Sequence, residues 1–120
     1  MDKQQWIKLC TEEQLLDNAG VAALVGERQL ALFYVPANDA VYAVDNFDPV
    51  MAAQVMARGL VGSQGEQHYV ASPLLKQRYC LATGQGLDDA KVSLDSWPVR
   101  RVDGAIEVAM SEADKSFSYA

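Results

Sequence analysis

Histidine occurs once in these 120 residues, at His68, and cysteine twice, at Cys10 and Cys80. Two distant cysteines do not make the disulfide framework of a small secreted domain, and Cys80 stands mid-strand in RYCLA, as a small apolar residue would. Both are read as unpaired thiols of a reducing compartment. No Cys/His signature and no G-x-S-x-G elbow is present, so no nucleophile constellation is visible. His68 lies in QHYVA, whose alternation suggests a strand edge. It is read as structural or solvated, because acid–base work needs partners in a cleft. Glycine-rich phosphate loops are missing too: Gly84-Gln85-Gly86 runs into Leu87-Asp88-Asp89, not into a helix. The pairs Asp88-Asp89 and Glu12-Glu13 read as solvated turns. No catalytic residue is assigned.

Positive charge is also scarce, with 10 basic residues against 16 acidic ones and a net charge of -6. An acidic chain repels phosphate backbones unless it concentrates a basic face. Arg100-Arg101 and the nearby Lys76 and Arg78 are too short for that and read as wet strand edges, so no nucleic-acid partner is expected. No apolar run approaches the ~20 residues needed to span a bilayer. The opening MDKQQWIKLC lacks the charged-then-apolar design of a signal peptide. A cytoplasmic location without membrane contact is the expectation.

What is present is a half-hydrophobic chain of single-domain size. Strand signals dominate, at 6–10, 21–25, 29–35, 41–44, 60–62, 67–71, 77–81, 99–102 and 106–108. Turn residues separate them, and Asp103-Gly104 is a strong two-residue hairpin signal. Segment 12–17 suggests one helical turn. Segment 50–58, with Met51, Val55 and Met56 among alanines, suggests one or two more ending at Gly59. Many short strands at regular intervals predict an all-β antiparallel sandwich, one domain over 1–110. Residues 111–120 read as a polar, flexible tail in which Phe117 and Tyr119 are candidates for binding something.

Two connections break the rule that surface loops are polar. They are Phe47-Asp48-Pro49-Val50-Met51 and Ala71-Ser72-Pro73-Leu74-Leu75, each following a strand. Here the chain resembles the Rieske-type domains, in which two loops of a β-sandwich jointly hold a [2Fe–2S] cluster. The segments that carry the likeness are VYAVDNFDPV, RGLVGSQGEQHYVASPL and QRYCLATGQG. Rieske loops supply two thiolates to one iron and two imidazoles to the other. The likeness places the first pair of ligand positions on Asp48 and Val50, and the second on Ser72 and Leu75. None of these four is a thiolate or an imidazole, so no cofactor or metal is expected in this chain.

That pattern of missing ligands, with NFDP, MARGL and VASPLLKQRYCLATG, resembles the small subunits of bacterial assimilatory NAD(P)H-dependent nitrite reductases. The resemblance implies a large-subunit partner carrying FAD, an iron–sulfur cluster and siroheme, which reduces nitrite to ammonium. The small chain would then be non-catalytic. The alternatives are a free-standing Rieske-like interaction module and a ferredoxin-type electron-transfer component of another oxidoreductase. In place of a cluster, Val50 and Leu75 are expected to meet in an apolar contact, and Asp48 and Ser72 to hydrogen-bond, with Pro49 and Pro73 stiffening both loops. Met51, Pro73, Leu74 and Leu75 are the candidates for a partner-binding patch.

Overall fold

Alternating turn and strand chemistry produces twelve short strands, described by a computed structural model for residues 3–118. In chain order they are β1 (Gln5–Thr11), β2 (Gly20–Val25), β3 (Arg28–Val35), β4 (Ala40–Asp45), β5 (Phe47–Asp48) and β6 (Ala53–Gln54). Then come β7 (Leu60–Gln64), β8 (Gln67–Ala71), β9 (Arg78–Cys80), β10 (Ser96–Trp97), β11 (Val99–Val102) and β12 (Ala105–Met110). All named pairings are antiparallel. Asp103 and Gly104, with φ of 51° and 80°, close the β11–β12 hairpin, as a two-residue turn with both central φ positive requires.

The central sheet has the order β10-β4-β3-β2. Its strand β3 reads RQLALFYV, a nearly unbroken apolar run, which is the signature of a strand covered on both faces. Leu30 and Leu32 face a core completed by Trp97, Ile106, Val108 and Met110, where the β1-β12-β11 sheet packs. Ala31, Phe33 and Val35 face a second core with Met56, Val70, Tyr79 and Leu81. The β7-β8-β9 sheet and the β5-β6 hairpin lie with this second core and present the two unusual loops. The fold is all-β, as expected, with helical content limited to single 3-10 turns. Among the described residues no helix is long and apolar enough to cross a membrane.

Segment 50–58 holds one helical turn and not two: Met56–Arg58 makes a 3-10 turn that ends at Gly59, while before it the chain pairs Phe47 with Gln54 and Asp48 with Ala53. Asn46 is the cause. Its carbonyl accepts the N–H groups of Val55 and Met56 (both 2.9 Å) and its Oδ1 accepts that of Ala57 (2.7 Å), so the chain doubles back on itself. In segment 12–17 only Glu12–Gln14 is helical. Strand β10 was not anticipated, and it brings Trp97 into the first core.

The segment after Met110 makes defined contacts with the sandwich through Asp114, Lys115 and Phe117. The Glu27 N–H donates to the Lys115 carbonyl (2.8 Å) and Arg28 Nε to the Asp114 carbonyl (3.0 Å). The Phe117 ring meets Phe47 edge-on at 5.1 Å. Phe117 therefore packs against the chain's own first loop. Tyr119, the other residue singled out in this segment, lies outside the described residues.

Candidate functional site

Strands β4 and β8 each deliver one apolar loop, and a single polar contact joins the two. Asp48 and Ser72 are both buried, at 0% and 1% exposure. The Ser72 hydroxyl donates to Asp48 Oδ2 at 2.5 Å, the short end of the charge-assisted O–H···O range. Asp48 Oδ1 accepts the N–H groups of Val50 (2.9 Å) and Met51 (3.2 Å), closing its own loop, and reaches the Gln77 side-chain amide at 3.3 Å. An ionised carboxylate has acceptor sites for all four donors, which offsets the cost of burying it without a cation.

The second loop is closed by its backbone. The Ser72 N–H donates to the Gln77 carbonyl (2.9 Å), and the Lys76 N–H, from a residue with φ of 64°, donates to the Ser72 carbonyl (3.0 Å). Tyr79 of β9 is fully buried. Burial above all pushes its phenol above the ordinary pKa, the Gln77 side chain pulls it back, and the Asp48 charge adds to the rise.

Arg28 anchors the entrance to the first loop. Its Nη1 lies 2.7 Å from Asp45 Oδ2 and 3.3 Å from Asp95 Oδ2, with the guanidinium 5.3 Å from the centre of the Trp97 ring. Burial raises the Asp45 carboxyl, while the Phe47 N–H and Arg28 pull it back. On the other side, Gly84 has φ of +81° and lies hard against the Leu94 carbonyl, so a side chain there would collide.

Of the contacts expected across the two loops, the polar one forms. Val50 keeps 45% of its surface exposed and Leu75 60%. Met51 and Leu74 are exposed as well, and Pro73 is half-buried. Gln77, Asn46 and Arg28 were missed by sequence reading. Of these only Asn46, in a turn-rich stretch, carried a signal. His68 is half-buried in β8 across from Ser63, and Cys10 and Cys80 are unpaired. A groove of about 460 Å³ lies away from these loops between β1 and β2, lined by Ile7, Leu9, Val21 and Leu24 among others.

Residues 5–109 match the family model described as the Rieske-like [2Fe-2S] domain. The NADH nitrite reductase small subunit of Escherichia coli K12 is 36% identical over 104 residues, which cover 87% of this chain and 96% of that one. The chain belongs to the nitrite reductase small subunits.

A crystal structure from Mycobacterium tuberculosis, described as an NADH-dependent nitrite reductase small subunit, superposes with a TM-score of 0.84 at 40% identity. It covers 89% of this chain and 96% of its own. A third relative differs in kind. The nitrite reductase [NAD(P)H] large subunit of Klebsiella oxytoca is 38% identical over 108 residues, covering 90% of this chain but 11% of that much longer one. In that enzyme a domain like this small subunit is part of the large polypeptide.

The family model's name implies a [2Fe–2S] cluster, and the residues of this small subunit do not fit one. Val50 and Leu75 have no donor atom, and iron–sulfur sites need thiolate or imidazole ligands. The oxygens of Asp48 and Ser72 are already committed to each other and to backbone N–H groups. Among the described residues no three His, Cys, Asp or Glu side chains converge as a metal site.

Proposed function

We propose that this chain is the non-catalytic small subunit of a cytoplasmic NAD(P)H-dependent nitrite reductase, binding the large subunit without carrying electrons itself. The observation that carries this reading is the Asp48–Ser72 hydrogen bond: protein atoms join the two loops where the Rieske likeness would place ligands. The relatives named as nitrite reductase small subunits supply the enzyme, and the Klebsiella oxytoca chain supplies the association, since there the domain is covalently part of the large subunit. FAD, an iron–sulfur cluster and siroheme belong, on this reading, to the large subunit, where nitrite is reduced to ammonium. Unpaired Cys10 and Cys80 are in keeping with a reducing cytoplasm.

The test is nitrite-dependent oxidation of NADH and NADPH by the large subunit from the same organism, with and without this chain, alongside metal analysis of the chain alone. Higher turnover or longer-lived activity with the chain present is expected, from a colourless protein. Stoichiometric iron and acid-labile sulfide in the purified chain would remove the passive role. A chain that neither binds the large subunit nor changes its activity would remove the subunit role and leave a free-standing module.

A further inference from the structure

Nine large apolar side chains are exposed among the described residues, and four of them, Val50, Met51, Leu74 and Leu75, stand on the two loops joined by Asp48 and Ser72. The others are spread over separate strands and turns, and Trp6 is covered on one face by the Arg100 guanidinium, 4.3 Å from its centre. Scattered exposed apolar residues are ordinary on soluble proteins; four on two loops joined to each other are not.

Charge singles out the same place. The chain holds 16 carboxylate residues, yet segments 46–60 and 71–78 contain one, Asp48, and it is fully buried. Lys76, directly after Leu75, is exposed and has no ion-pair partner among the described residues. The face is therefore apolar with a positive margin on an otherwise acidic molecule. It is also fixed in advance, because hydrogen bonds from Asp48, Ser72 and Gln77 hold both loops before any partner arrives. A preordered face gives up less conformational freedom on binding.

We propose that Val50, Met51, Leu74 and Leu75, with Lys76 at the margin, form the face by which this chain docks on the large subunit of the reductase, against an apolar depression with an acidic edge. This rests on the proposed function, and it names the surface that reading leaves open. The large subunit is the occupant because the Klebsiella oxytoca relative keeps this domain and the large subunit in one polypeptide. Pro73 between Ser72 and Leu74 keeps the second loop stiff.

The experiment measures binding of the full chain to the large subunit by calorimetry, with thermal melting of each variant. Leu74→Asp combined with Leu75→Asp is expected to weaken binding at least about thirtyfold, since two of the four exposed apolar side chains of the face become charged. Because both side chains are exposed, the melting temperature should stay within a few degrees. Lys76→Glu is expected to weaken binding about tenfold at low salt and less at high salt, as a marginal charge does. Leu24→Asp, in the groove between β1 and β2, should leave binding unchanged. Unaltered binding by the double variant, equal loss with Leu24→Asp, or a wild-type homodimer that uses these residues and ignores the large subunit would each overturn the proposed face. In the first two cases the subunit role stands. Absence of any binding by the wild-type chain overturns both.

Discussion

The strand scaffold and the paired loops are held by different forces. In the scaffold, β3 places Leu30 and Leu32 in one core and Phe33 and Val35 in the other, so stability is spread over many apolar contacts. In the loops, a few directional bonds converge on one carboxylate while the large side chains face water. Burial tolerates no gaps yet makes little demand on orientation. The carboxylate site tolerates exposure around it and depends on every donor being in place. The two regions should therefore fail differently.

Phe33→Ala should be the most damaging change, opening a cavity in the second core at a cost of about 3–5 kcal/mol. Denaturant unfolding should show the loss across the whole molecule. Asp48→Ala leaves the Ser72 hydroxyl, two N–H groups and the Gln77 amide without their acceptor, and about 2–4 kcal/mol is expected. Here amide exchange should accelerate first at Val50, Met51 and Leu74, with the strands of the central sheet affected last. Uniform acceleration would mean that the loops and scaffold are one cooperative unit. Phe117→Ala should cost about 1 kcal/mol through the lost edge-on contact with Phe47, and proteolysis after Met110 should become faster.

Acid titration makes a finer distinction. Hydrogen bonds from the Arg78 side chain, and then from its backbone N–H, hold the Asp88 carboxyl below its usual range. A folded-state pKa below the unfolded one means stability that is present above about pH 3.9 and lost as pH falls through the folded value. Asp88→Asn should flatten that acid limb by bringing stability at pH 7 down to its acid value, a small loss because the pair is exposed to solvent. Smallest of all is the expected effect of Leu75→Asp on folding, within about 0.5 kcal/mol, because its side chain already lies in water. A large fall in melting temperature would mean that Leu75 contributes to packing through the part of its surface that is covered.

Most of the scaffold was legible because its strands announce themselves by local chemistry. Asp103-Gly104 requires a tight turn, and the run LALFYV, short and bounded by turn residues, suits a buried strand. Segment 50–58 was read as one or two helical turns for an equally local reason, since Met51, Val55 and Met56 fall at helical spacing; one turn forms, at Met56–Arg58. What prevents a longer helix is Asn46, which captures three of the segment's N–H groups, and no pattern within 50–58 shows that capture. The tie on the C-terminal segment was hidden because it runs through the carbonyls of Asp114 and Lys115, which every residue type possesses. At the loops, the residue types of Asp48 and Ser72 indicated their hydrogen bond. The outward direction of Val50 and Leu75 depends on turn geometry that residue type does not encode.

The bond between Asp48 and Ser72 consists only of atoms that the ribosome supplies. The two loops are consequently closed on each other by folding alone, with no delivery of iron or sulfide to await at that contact. Neither oxygen nor iron starvation has anything in it to destroy.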